Sequence, residues 1–224
     1  MGRVRRSVAV SAIVVLTLSG CASGSPAIPT GGVDGLIVPT PSPDPADFVE
    51  VVDNPWLPLE PGAVRTYASD DEPESRLRVT VEEGPVIAGV ATTAARSVSS
   101  PPDDGEIADQ VDYFAQDVAG NVWWFGREGE WQAGEGGAQA GVVMVARPRV
   151  GDGYREASAE GDAVQVSEIV AVDEDVELPA STYGDVLVIE TTWPSGDVVL
   201  NHYVRGTGLI LRETEGGLAL GLVR

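Results

Sequence analysis

One histidine, one cysteine and no lysine narrow the chemistry open to this 224-residue chain. His202 and Cys21 cannot supply the three or four His and Cys ligands of a zinc site. A Ser–His–Asp triad has only His202 to draw on, and no G-x-S-x-G elbow accompanies it. Schiff-base chemistry and a phosphate-loop lysine are excluded, and no Walker or dinucleotide-binding glycine motif is present. Carboxylates remain, 35 of them. A glycan hydrolase needs only two carboxylates at a set separation. The stretches "DDEPE" (70–74), "DDGEIADQVD" (103–112) and "DEDVE" (173–177) read as solvated loops and strand ends. Asp112 and Glu190 lie inside apolar strands and are the acids to follow.

Trp123, Trp124, Phe125 and Trp131, with Tyr113 on the preceding strand, form the densest aromatic group. Such rings can wall a site for a sugar or a lipid. Successive strand residues face opposite sides of a sheet, so Trp123 and Trp124 cannot enter one core. In a single curved layer, one ring lines the concave face and the other meets solvent or a covering loop. If both faces are covered, both rings are packing; that reading is favoured because large aromatics dominate core energetics. Asp117, Gly120 and Asn121 lack the run of oxygen ligands that a calcium loop supplies, and read as a hairpin turn. No metal and no cofactor is expected.

Cys21 has a different explanation. Arg3, Arg5 and Arg6 precede an apolar run over residues 8–18, followed by Ser19, Gly20 and Cys21. A basic start, a short apolar region and small residues make an export signal. The run is too short to span a bilayer, which takes roughly 20 apolar residues. Leu18-Ser19-Gly20-Cys21 resembles the lipobox of bacterial lipoproteins. The resemblance implies a diacylglyceryl group on the Cys21 thiol, cleavage before it, and anchoring on the outer face of the cell membrane. A lipidated Cys21 is also lost to any cysteine–histidine catalysis. Residues 21–50 then read as the lipidated cysteine and a Pro/Gly/Ser-rich tether, too poor in apolar surface to fold. Residues 51–224 form one extracytoplasmic domain, large enough for a real core.

The formal net charge is −21, with 14 basic residues, every one an arginine. Three of these lie in the signal, so the mature part is more acidic still. That balance excludes nucleic acid, which requires basic surface. It also opposes lying flat on anionic lipid.

The elements that must position these residues are strands. Leu77, Val79 and Val81 alternate with polar residues at a two-residue period. Val111, Tyr113 and Ala115 alternate with Asp112, Phe114 and Gln116. Leu187, Ile189 and Trp193 share one parity, and Val198, Leu200, His202 and Val204 share another. His202 therefore reads as a buried, hydrogen-bonded core histidine. "DVAGN" (117–121) and "PSGD" (194–197) are hairpin turns, and Gly216-Gly217 turns a last hairpin. A short helical turn is allowed near residues 48–53. Pro55, Pro58 and Pro61 stiffen the approach to the first strand, with Trp56 plugging one end of the sheet. The fold class is all-β: a single antiparallel domain of about eight to ten strands, as a curved open sheet, half-barrel or barrel.

The stretches "NPWLPLEPGAVRTY" (54–67), "DYFAQDVAGNVWWFGREGEW" (112–131), "RPRVGDGYR" (147–155) and "GTGLILRET" (206–214) together resemble a family of exported, β-rich bacterial proteins and lipoproteins of actinobacterial type. The resemblance implies an extracytoplasmic all-β domain and no defined activity or catalytic residue. The expected role is a non-enzymatic envelope lipoprotein that binds a lipid or another amphiphile. Docking of another envelope protein, through a sheet edge or acidic patch, is the alternative. A carboxylate-only glycan hydrolase is the third.

Overall fold

A computed structural model of the chain describes residues 44–69, 74–100, 108–159, 162–179, 181–215 and 219–223. Cys21, the signal, the tether before residue 44, the Gly216-Gly217 turn and most of the two acidic stretches near 70 and 103 lie outside the described residues.

The fold is all-β. Its strands are β1 (Phe48–Val49), β2 (Val64–Ala68), β3 (Arg76–Ile87), β4 (Val90–Ser100), β5 (Ala108–Asp117), β6 (Val122–Arg127) and β7 (Trp131–Gln132), then β8 (Gln139–Met144), β9 (Gly153–Ala159), β10 (Asp162–Leu178), β11 (Ser181–Thr192), β12 (Val198–Val204), β13 (Gly208–Thr214) and β14 (Ala219–Leu222). All belong to one antiparallel sheet of 14 strands, more than the eight to ten expected. The excess comes from elements too short or too small-sided to show a period. β1 and β7 have two residues each, and β8 and β9 are rich in Gly and Ala. Near residues 48–53 the chain does not form the allowed helical turn. A 3-10 turn falls earlier, at Pro45–Asp47, where the Asp44 carboxylate accepts from the Ala46 amide at 3.0 Å. Phe48 is extended and pairs with Asp117, inside the segment assigned by sequence to the tether.

The strand order is β1-β5-β4-β3-β2-β14-β13-β12-β11-β10-β9-β8-β6-β7. β1 and β7 are its ends. The sheet curls so far between them that β5 and β6 also share a ladder, from Asp112↔Arg127 to Gln116↔Val122. The curl creates an inner face and an outer face, and strand alternation assigns residues to each.

Inside one end of the curl lies a plug, residues 52–63. Trp56 is 4% exposed and packs with Val52, Leu59, Val81, Met144, Ile169 and Leu187. Polar contacts hold the plug to the turns around it. The Gln116 carboxamide oxygen accepts from the Asn54 amide at 2.7 Å, and Asn54 Nδ2 donates to the Gly120 carbonyl at 2.7 Å. The Gly206 amide donates to the Pro55 carbonyl at 2.6 Å. The Arg205 guanidinium lies 4.3 Å over the Trp56 ring. Trp56 thus plugs one end of the sheet, as its place between prolines predicts.

Two clusters cover the outer face. On β4–β6, Tyr113, Ala115, Trp123 and Phe125 pack with Ile87 and Val90 at the β3–β4 hairpin tip and with Phe48. On β11–β14, Val186, Val188 and Ile210 pack with Leu178 from the long β10–β11 hairpin. That hairpin covers the outer face of β12. Leu200 and Val204 lie there, and His202 is 9% exposed with Nε2 2.9 Å from the Glu213 carboxylate. Among the described residues no helix is long and apolar enough to cross a membrane.

Candidate functional site

Beyond the plug, the inner face encloses a cavity of about 420 Å³. That lies within the roughly 300–1,000 Å³ of pockets that bury most of a small ligand. Its residues come from almost every strand, because inward positions of a curled sheet converge on one space. The β2–β6 wall is mixed: Leu77, Val79, Ala95, Phe114 and Trp124 make an apolar patch beside the polar Arg65, Gln110, Asp112 and Arg127. Leu57 and Leu59 of the plug form its floor. Trp193, 37% exposed in the β11–β12 turn, lies at the opposite, mouth end.

The aromatic group divides as alternation requires. Trp124 lines the cavity. Trp123 and Phe125 point outward, where Phe48 meets them edge-on at centroid distances of 6.0 and 5.2 Å. Tyr113 shares the outer cluster. Trp131 does not line the cavity, but stands edge-on to Trp124 at 4.8 Å and backs it. Gly126 makes that contact available. Its φ is +149°, and a Cβ there would lie 2.5 Å from the Trp131 carbonyl oxygen, so only glycine lets β7 close on β6. Of the five aromatic candidates, one faces the cavity, one supports it and three are outer-face packing.

The two acids followed from sequence also separate. Asp112 faces the cavity and Glu190 does not line it. The Asp112 carboxylate accepts from Arg127 Nε at 2.9 Å, Trp124 Nε1 at 3.1 Å and Gln110 Nε2 at 2.7 Å. Arg127 in turn lies 5.1 Å over the Trp124 ring, so ring, cation and carboxylate fix one another. Asp117, weighed as a calcium ligand, spends its oxygens on the turn. It accepts from the Asn121 amide at 2.9 Å, Asn121 Nδ2 at 2.8 Å and Trp123 Nε1 at 2.8 Å.

The opposite wall, β9–β13, is polar and was not foreseen. Arg212 Nε donates to Asn201 Oδ1 at 3.0 Å, and Asn201 Nδ2 reaches Thr191 Oγ1 at 3.4 Å. The Thr191 and Ser167 hydroxyls are 2.8 Å apart, and Ser167 donates to the Glu156 carboxylate. One residue from each of five adjacent strands thus forms a continuous chain of hydrogen bonds. Burial pushes the Glu156 carboxyl up to about 6, opposed by the two hydroxyls and by the Arg212 charge. Tyr67 and Tyr203 complete this side. Burial raises the Tyr67 phenol to about 12 against the fields of Arg65 and Arg212, and raises the Tyr203 phenol further. Tyr67 Oη donates to the Leu209 carbonyl at 3.1 Å. Arg65 Nε donates to the Thr207 carbonyl at 3.0 Å, so both stitch β2 to the β12–β13 region beside the short β14.

One sign of this wall was present in the sequence. Thr191 shares the parity of Leu187, Ile189 and Trp193, a polar residue in an apolar series. On β12 the signal misleads, since the residues lining the cavity are Val199, Asn201 and Tyr203, opposite to the more apolar series. Fold and cavity together define an all-β protein with a mixed apolar and polar internal site. No protein-family model, curated protein or solved structure matches the chain.

Proposed function

We propose that this is a lipid-anchored envelope protein whose curled sheet binds a small amphiphile without catalysing a reaction on it. The observation that carries the reading is the cavity of about 420 Å³, which sets an apolar patch of Leu77, Val79, Ala95, Phe114 and Trp124 across from the hydrogen-bonded chain on β9–β13. An amphiphile has the same division. The volume suits one small molecule rather than a large, multi-chain lipid. Asp112 and Glu156 meet the same cavity, but both carboxylates are engaged by neighbouring donors, which suits a binding wall better than a hydrolytic pair.

Anchoring through Cys21 rests on the sequence around it. The chain enters the described fold at β1, beside the β5–β6 turn and the plug, at the end away from the cavity mouth. A membrane tether at that end leaves the mouth free to exchange ligand with the envelope.

The test is native mass spectrometry of the full chain, purified from an envelope and released from detergent in the gas phase. A stoichiometric extra mass that disappears after solvent extraction is expected. A bare polypeptide mass in repeated preparations overturns the resident-ligand reading and favours docking of another envelope protein.

A further inference from the structure

In this acidic chain, arginines that meet a carboxylate account for Arg96–Asp109 and Arg127–Asp112. Two cavity arginines behave differently. Arg65 donates to the carbonyls of Thr207 and Pro58, at 3.0 Å each, and Arg212 donates to the carboxamide of Asn201. Among the described residues, neither has a carboxylate within 4.0 Å. Both line the cavity, Arg65 on β2 and Arg212 on β13, with only the short β14 between those strands. Arg212 is exposed, yet its surroundings are the cavity wall, so its remaining N–H donors have the cavity itself to address. A guanidinium has five donors in a rigid fork, suited to a bidentate anion. Arg65 is half-buried and Arg212 exposed, and both keep guanidinium donors for an anion that enters the cavity.

Resting on the cavity-binding reading above, we propose that the ligand is an anionic amphiphile. Its carboxylate or phosphate head is held by Arg212 in the field of Arg65, and its apolar part lies against Phe114 and Trp124. Glu156 sets the strength of the site. It is a single negative group on the same wall, at the far end of the hydrogen-bond chain from Arg212. The anionic head therefore competes with Glu156 for the Arg212 field. Removing either charge moves affinity in opposite directions, which a loss of folding does not do.

The experiment titrates the full chain, after solvent removal of any resident ligand and refolding verified by circular dichroism, with laurate, lauryl phosphate and lauryl alcohol. Native mass spectrometry counts the complexes. Laurate or lauryl phosphate is expected to bind one to one and more tightly than the alcohol, and the tighter of the two identifies the head group. Arg212→Gln is expected to weaken anion binding about tenfold, the worth of one charge-assisted hydrogen bond. It should leave the alcohol nearly unchanged. Glu156→Gln is expected to strengthen anion binding. If the alcohol binds as well as the anions and Arg212→Gln changes neither, the anionic head is wrong while the cavity reading stands. If none of the three binds to the refolded chain, the cavity reading itself falls, and this proposal with it.

Discussion

The indole N–H of Trp124 donates to the Asp112 carboxylate at 3.1 Å, joining β6 to β5 across the inner face. The bond fixes the ring against the cavity, because the same carboxylate takes Arg127 at 2.9 Å and Arg127 stacks on the ring. The side chains of Asp112 and Arg127 are only 14% and 17% exposed. Asp112→Ala therefore strands a largely buried cation and an indole donor. The expected cost is about 2–4 kcal/mol, seen as a lower urea midpoint. Asp112→Asn, which keeps an acceptor, should cost less. Equal stability of Asp112→Ala and the parent chain would deny the carboxylate this role.

The plug is testable through Trp56. At 4% exposure, its ring closes one end of the curl. Trp56→Ala should destabilise by about 3–5 kcal/mol, the usual range for a buried large aromatic. Chemical denaturation measures this. A change below about 1 kcal/mol would mean that the end stays closed without the ring.

Glu156 makes stability depend on pH in an uncommon direction. Its carboxyl is raised from 4.5 to about 6 in the fold, chiefly by burial. The folded chain then holds this proton more tightly than the unfolded chain does. Its ionisation in the fold opposes folding by about 2 kcal/mol above the folded pKa, and this penalty fades as pH falls from about 6 through 4.5. Glu156→Gln keeps an acceptor for Ser167 and removes the charge. It should raise thermal stability at neutral pH and leave it unchanged below about pH 4. The same shift at both pH values would exclude ionisation as its cause.

Gly126→Ala places a Cβ 2.5 Å from the Trp131 carbonyl, at a φ of +149°. β7 must move away, taking Trp131 off Trp124. The expected results are a loss of about 1–3 kcal/mol and a weakened near-ultraviolet dichroism from the coupled indoles. An unchanged aromatic spectrum would show that β7 accommodates the methyl.

Cys21→Ser tests the anchor apart from the fold. The variant should remain unprocessed at the lipobox and incorporate no labelled acyl chain. Processing and acylation equal to the parent would remove the lipoprotein reading.

What the sequence alone determined was local. Two-residue alternation marked most long strands, and the 117–121 and 194–197 turns fall where their Gly, Asn and Asp residues put them. The division of Trp123 from Trp124 followed from alternation alone. The absence of lysine and the single histidine bounded the chemistry through composition, whatever the fold. Two-residue strands such as β1 and β7 stayed invisible, because so short a segment carries no period.

Tertiary structure decided which face was which. β12 presents an apolar series and a polar series, and either could have faced inward. The β10–β11 hairpin settles it by covering the outer face, which turns Asn201 and Tyr203 to the cavity. Glu156, Ser167, Thr191, Asn201 and Arg212 span 57 positions of chain, from residue 156 to residue 212, yet form one hydrogen-bonded wall. Strand pairing and curl bring them together, and those depend on the register of five strands at once. Along the chain, each residue meets only its sequence neighbours. The cavity exists only between residues that the fold makes neighbours.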